Sequence, residues 1–216
     1  VTVSGGPDGL VGRKLAVSGD VVRGSIDPQL DMTVVELAGQ TRQAMRYSLP
    51  GEVELFIDVM RPSPALIMVG GAHVAIALAQ MARILGYRTI VVDPRRAFGS
   101  EARFPDVDQL IQAWPDKAFA EHSITHDSAV VTLSHDPKLD DPALRAALNS
   151  DAFYIGALGS RKTTAKRRER LVEMGFNDAQ LARIHAPVGL DIGADSPEEI
   201  ALAIMAQIVA VYRRQP

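Results

Sequence analysis

The chain is 216 residues long with a formal charge of -3, enough for one medium domain or for a small domain joined to a larger one, each with a real core. That balance supplies no global field for nucleic acid, and no apolar run approaches the roughly 18 residues needed to cross a bilayer. The absence of cysteine excludes disulfides, thiolate metal sites and a cysteine nucleophile within this chain, and it is compatible with a reducing, cytoplasmic setting.

Val1 to Gly9 lack the basic start, apolar core and cleavage site of a secretory signal, and a start at Val1 rather than Met leaves a longer N-terminus open. Arg13 to Val17 and Val21 to Ser25 flank the turn signal Ser18-Gly19-Asp20, which predicts a hairpin. Asp31 to Tyr47 carries apolar residues at helical intervals (Val34, Val35, Leu37, Ala38, Met45) and predicts a helix. Glu52 to Met60 alternates Val53, Leu55, Ile57 and Val59 as a half-buried strand does. Arg61-Pro62-Ser63-Pro64 then breaks the chain, because two prolines force extended backbone. The expected division is a small α+β module over 1–61 and a larger domain over 62–216.

Apolar runs and helical patterns alternate beyond that break: strands at Ala65 to Val69, Thr89 to Val92, Ala129 to Leu133 and Phe153 to Ile155, helices at Val74 to Leu85, Pro142 to Leu148 and Thr163 to Met174. Fully apolar strands alternating with helices predict an α/β fold, a doubly wound parallel sheet covered on both faces. The last helix announces its start: Ser196 caps, Pro197 takes the first helical position, and Glu199 completes a capping box before Ile200 to Val211.

The first strand ends in Gly70-Gly71-Ala72-His73-Val74-Ala75, and the second strand ends in Asp93, 23 residues after Gly70. This is the layout of a Rossmann βαβ unit, in which a small-residue turn admits a pyrophosphate at a helix N-terminus and a carboxylate accepts from ribose hydroxyls. Ala72 places a methyl where the diphosphate should approach, and Arg95 and Arg96 blur the choice between NAD and a 2′-phosphate. The alternative is a βα turn that merely favours small residues. His73 stands at the helix start, either as a cation for an anion there or as an exposed cap residue.

Tyr154 to Arg161 ends another predicted strand with Gly156, Gly159, Ser160 and Arg161. Ligands of open α/β sheets lie beyond the carboxyl ends of the strands, so this turn should face the same crevice as Gly70. Arg161 to Arg170 is strongly basic, and such a run is usually a solvated face, Arg161 excepted. His135 follows the strand Ala129 to Leu133. With Asp136 or Asp140 it could make an acid-base pair; equally it is a loop residue ahead of a helix capped by Asp141. No nucleophile elbow, P-loop lysine or His-carboxylate metal spacing is present.

In order, Gly70 to Leu78, Val92-Asp93-Pro94-Arg95, Arg103-Phe104-Pro105, Ser134-His135-Asp136, Tyr154 to Arg161, Arg183 to Pro187 and Gly189 to Ala194 resemble the xanthine dehydrogenase accessory protein family, XdhC/CoxI, over about Pro62 to Arg213. The resemblance implies a small N-terminal module, a C-terminal Rossmann domain, and a role in binding molybdenum cofactor (molybdopterin), supporting its sulfuration and delivering it to an apo molybdenum hydroxylase such as a xanthine or carbon monoxide dehydrogenase. The partners it implies are that client and a cysteine desulfurase, with a homodimer admitted. The N-terminal module departs from the family pattern. Gly6-Pro7-Asp8 and Gly24 to Asp31 lack the usual Arg, double Gly and Cys, and the usual Gly-Ala-Gly-His turn is Gly70-Gly71-Ala72-His73 here.

Two other readings stay open. One is an NAD-linked oxidoreductase in which Asp93 holds ribose and His135 or His73 moves a proton. The other is an adaptor of Rossmann shape that touches only its client.

Overall fold

A computed structural model describes residues 1–41, 44–60 and 62–214. It divides into two compact units, Val1–Arg61 and Pro62–Gln215. Arg61 of the predicted break, Arg42 and Gln43 of the predicted first helix, and Gln215 and Pro216 lie outside the described residues.

The first unit contains β1 (Thr2–Gly5), β2 (Leu15–Ser18), β3 (Val21–Gly24), α1 (Asp31–Gln40), β4 (Met45–Leu49) and β5 (Val53–Ile57). The expected hairpin forms, with β2 and β3 in register from Leu15 opposite Gly24 to Ser18 opposite Val21. Gly19 supplies the positive φ that so tight a turn needs. In β5, Val53, Leu55 and Ile57 are buried and alternate with exposed Glu54 and Phe56, the period-2 pattern of a strand with one wet face.

The expectation of one helix from Asp31 to Tyr47 is corrected. The helix stops at Gln40, and Met45–Leu49 is a strand antiparallel to β5. Thr41 marks the stop: its backbone is extended, and its hydroxyl bonds Leu37 O at 2.6 Å and Tyr47 Oη at 2.9 Å. Strands β1, β5 and β4 form an antiparallel sheet in that order. Val3, Leu15, Ile26, Val34, Val53 and Leu55 make its core.

The second unit runs β6 (Ala65–Val69), α2 (His73–Ile84), β7 (Arg88–Val92), β8 (Gln109–Ile111), α3 (Pro115–Glu121), β9 (Ser128–Thr132), α4 (Pro137–Leu148), β10 (Tyr154–Ala157), α5 (Arg161–Glu173), α6 (Asp178–Leu181), β11 (Ile184–His185) and α7 (Pro197–Arg214). All strand pairs in its sheet are parallel, in the order β11-β10-β9-β6-β7-β8. The chain reverses its direction of travel between β6 and β9, and that switch point is where ligands of open α/β sheets bind. Every residue of β6 and of β9 is buried, because helices cover both faces. One core packs Leu66, Met68 and Val131 beneath Leu78 of α2 and Ile204 of α7. The other packs Ile67, Val69 and Val130 against Leu144 of α4 and Leu171 of α5.

The capping box of α7 forms as expected, Glu199 N donating to Ser196 Oγ and Ser196 N to Glu199 Oε2. Helix α4 differs from expectation. It begins at Pro137, not Pro142, and its cap is Asp136, whose carboxylate accepts from Lys138 N at 3.0 Å. Asp141 is therefore free to pair elsewhere. Among the described residues no helix is long and apolar enough to cross a membrane.

Candidate functional site

The first glycine turn is closed by its own chain. Gly70 has φ of +100°, a left-handed conformation that favours glycine. A methyl there would stand 3.0 Å from Ser134 N, so the turn packs directly on the end of β9. Gly71 donates its N-H to Asp93 Oδ2 at 2.8 Å. Arg95 completes the shell of that carboxylate, with its backbone N and Nε 2.9 Å from Oδ1 and Nη2 2.7 Å from Oδ2.

Burial of Asp93 works against ionisation, but the Arg95 side chain and the N-H groups of Gly71 and Arg95 outweigh it and hold the carboxyl below its ordinary value. Its side chain is 0% exposed. The loop after β7 then lies over the turn. A methyl on Gly71 would overlap the Phe98 carbonyl, Arg95 stacks on the Phe98 ring at 4.3 Å, and Arg103 Nη2 donates to Gly71 O at 3.1 Å. The expectation that Asp93 offers an open carboxylate to a ribose is corrected: both oxygens are already saturated by the protein.

The open space lies around the next turn. A cleft of about 760 Å³ is bounded by Val74 at the start of α2, His135 after β9, Leu158 to Arg161 after β10, and the loop Pro187 to Ala194. Gly159, with φ of +147°, makes the bend after β10. Ser160 caps α5 by accepting from Thr163 N at 3.2 Å. Helix α2 starts without any side-chain cap, so its first N-H groups keep the partial positive charge that attracts an anion.

The opposite wall of this cleft is pinned by Gln207 on α7. Its Oε1 accepts from Tyr154 Oη at 2.6 Å and from Gly189 N at 2.9 Å, and its Nε2 donates to Gly189 O at 3.3 Å. Leu190 N adds a bond to Ala203 O. Tyr154 is buried, which pushes its phenol far above the ordinary value and leaves it a neutral donor to Gln207. The ring also stacks on His185 at 4.7 Å; burial lowers the His185 imidazole and favours its neutral form.

A second, buried polar group stands behind His135. Asp140 accepts from Ser134 Oγ at 2.7 Å and from Arg167 Nη2 at 3.2 Å. Burial raises its carboxyl to about 6, outweighing the hydroxyl and the guanidinium beside it. Asp141 makes a forked pair with Arg170, at 2.6 and 2.9 Å.

The structure therefore sorts the expected residues. Gly159, Ser160 and Arg161 lie on the rim of the large cleft. Ala72 and Arg95 border a separate cleft of about 540 Å³ with Phe98 and Ser134, and His135 borders both. Gly70 and Gly71 are buried under the loop after β7, and His73 is half-buried. Gly156 has a packing role: a methyl there would approach Val188 Cγ2 at 2.6 Å and Tyr154 Cε1 at 2.8 Å. His135 and Asp140 are not paired, since Asp140 faces Ser134 and Arg167. Sequence reasoning gave no site role to Val74, Leu158 or Pro187 to Ala194. The Gly189 and Gly193 positive-φ positions were the available signal for a built loop in that last segment.

The XdhC Rossmann domain model matches residues 66–208. The chain belongs to the XdhC family. Among its XdhC relatives, it is 35% identical over 161 residues to a Bacillus subtilis protein named as a probable xanthine dehydrogenase subunit, covering 74% of this chain and 46% of that one. It is 32% identical over 189 residues to the Escherichia coli molybdenum cofactor insertion chaperone PaoD, covering 88% and 51%. The chain thus spans about half the length of these curated relatives. A solved structure described as a xanthine dehydrogenase from Bacillus halodurans aligns with a TM-score of 0.68 and 27% identity, covering 93% of this chain and 55% of that one.

Proposed function

We propose that this XdhC chain is an accessory protein that binds molybdenum cofactor and hands it to an apo molybdenum hydroxylase, rather than an enzyme that turns over a metabolite. The observation that carries the reading is the 760 Å³ cleft over the Gly159 turn, whose far wall is held ready by Gln207. Pockets for drug-sized or cofactor-sized molecules typically measure about 300–1,000 Å³. Its lining suits the organic part of the cargo. Leu158, Val188 and Ile200 offer apolar surface to a flat ring, and the turn before α5 and the uncapped start of α2 offer N-H groups to an anionic end.

The lining does not suit direct ligation of molybdenum. The chain has no cysteine, and among the described residues no cluster of three or more His, Asp or Glu could hold a metal. The cargo would therefore be gripped by its pterin and phosphate. Any sulfur supplied by a cysteine desulfurase would pass to cargo or client without a thiol of this chain. The kinship with PaoD, named as an insertion chaperone, supports the same reading. A cytoplasmic location and self-association into a homodimer are further expectations of it.

The NAD-linked alternative loses its ribose acceptor, because Asp93 is enclosed by Gly71 and Arg95. The test is to mix the purified chain with molybdenum cofactor released from a molybdoenzyme, remove unbound material, and measure molybdenum and pterin fluorescence in the protein fraction. Retention of both at micromolar cofactor, with no thermal shift from NAD(H), is expected. A folded chain that retains neither, or one whose melting point moves with NAD(H) alone, overturns the proposal.

A further inference from the structure

Between the first turns of α4 and α5 a smaller cleft of about 270 Å³ is bounded by His135, Pro137, Asp140, Lys162, Thr163, Lys166, Arg167 and Arg170. Its floor is unusual. The Arg167 side chain is 3% exposed. Only Nη2 has partners, Asp140 Oδ2 and Leu158 O. Nε and Nη1 are buried without a hydrogen-bond partner. A buried guanidinium normally satisfies its donors, because each one left bare keeps the full cost of losing water.

Nη1 faces the Gly159–Thr163 turn: a methyl placed on Gly159 would stand 3.1 Å from Thr163 and 3.7 Å from Nη1. Lys162 and Lys166 stand one helical turn apart on the rim, and neither meets a carboxylate among the described residues. Arg170 is forked to Asp141, and Asp140 is raised to about 6 by burial. The charges facing the space are therefore mainly cationic.

We propose that this cleft is an oxyanion site that takes a phosphate or diphosphate group, with the idle donors of Arg167 as its floor and Lys162 and Lys166 as its rim. An oxyanion supplies acceptors to a fork geometry that a lone water matches poorly, and Arg is suited to phosphate for that reason. His135 borders both this cleft and the 760 Å³ one. A molecule with its phosphate here has its remaining bulk directed past His135 into the larger space. The site stands on its own residues, whatever the larger cleft carries.

The test is calorimetric titration of the intact chain with inorganic phosphate, inorganic pyrophosphate and ADP, repeated on a Lys162→Ala/Lys166→Ala variant and on Arg167→Lys. Pyrophosphate is expected to bind with a submillimolar Kd that the double lysine variant weakens about tenfold without moving the melting point. Arg167→Lys keeps the charge but loses the fork, and is expected to weaken binding further. ADP binding more tightly than pyrophosphate supports an oxyanion end with the nucleoside in the larger cleft. Equal affinity supports a site for the phosphates alone. No heat with any of the three at about 10 mM, or unchanged affinity in the double lysine variant, overturns the proposal. Pyrophosphate binding without cofactor retention removes the chaperone reading and leaves this site standing. Cofactor retention without pyrophosphate binding does the reverse.

Discussion

Replacing Asp93 with alanine separates a structural carboxylate from a ribose acceptor. In the folded chain the carboxylate accepts from two backbone N-H groups and a forked guanidinium, at 2.7 to 2.9 Å. Hydrogen bonds to a charged group are worth about 1.5–3 kcal/mol each when buried, which applies best to the Gly71 N-H. The Arg95 side chain is 38% exposed, so solvent screening reduces its pair to about 1 kcal/mol or less. The loss on truncation is about 3 kcal/mol. For a unit of this size that corresponds to a melting point lower by about 6–12 °C.

Thermal unfolding followed by circular dichroism at neutral pH reads this directly. The sign with pH is fixed as well. A carboxyl held below its ordinary value stabilises the fold above about 4, and that contribution is lost as pH falls through the lowered folded value. Wild type and Asp93→Ala should thus converge in stability in strong acid. A variant that melts within about 2 °C of wild type, while losing a shift that NAD had produced in wild type, would refute this reasoning and restore the ribose role.

Gly71→Ala must push the loop carrying Phe98 away from the first turn, since the new methyl overlaps the Phe98 carbonyl. A loss of about 1–3 kcal/mol and faster proteolysis between Pro94 and Phe104 are expected. Wild-type resistance in that variant would mean that the loop does not rest on the turn. Asp140 acts oppositely to Asp93: with its carboxyl raised from 3.8 to about 6, the fold loses up to about 3 kcal/mol as pH rises from about 4 to about 6. Urea midpoints across that window should slope downward in wild type and lie flat in Asp140→Asn, and equal slopes would contradict the assignment. Gln207→Leu leaves Tyr154 Oη and the Gly189 backbone without partners, at a cost of about 2–3 kcal/mol. Amide exchange at Gly189 and Leu190 should accelerate in that variant, whereas unchanged protection would show that the loop holds itself.

The parallel sheet was legible because β6 and β9 are buried on both faces and so are apolar at nearly every position; no rival element tolerates such a run between glycines and prolines. The start of α7 was legible because Ser196 and Glu199 bond each other's backbone as local chemistry alone dictates. The run from Asp31 to Tyr47 misled because Met45, Tyr47 and Leu49 alternate on β4, a period too short to declare itself against the helix before it. Strand β8 has three residues, all only half-buried, and leaves almost no pattern.

The site was harder to read than the sheet. The spacing from Gly70 to Asp93 predicts that the two meet, and Gly71 and Asp93 do. Spacing cannot say that Arg95 and the Phe98 loop arrive there too. Arg167 looked like one more charge on a basic face, yet it lies four residues before buried Leu171. That interval places it on the inward stripe of α5.

The bond from Gly71 to Asp93 also means that the first turn carries its own anion. A carboxylate tethered a short loop away competes at a high effective concentration, and it never diffuses off. A nucleotide phosphate arriving from solution has to displace that resident competitor and lift Phe98 before it can claim the turn. The motif that most resembles a dinucleotide site in the sequence is thereby the part of this sheet edge best defended against dinucleotides, and traffic is left to the neighbouring cleft.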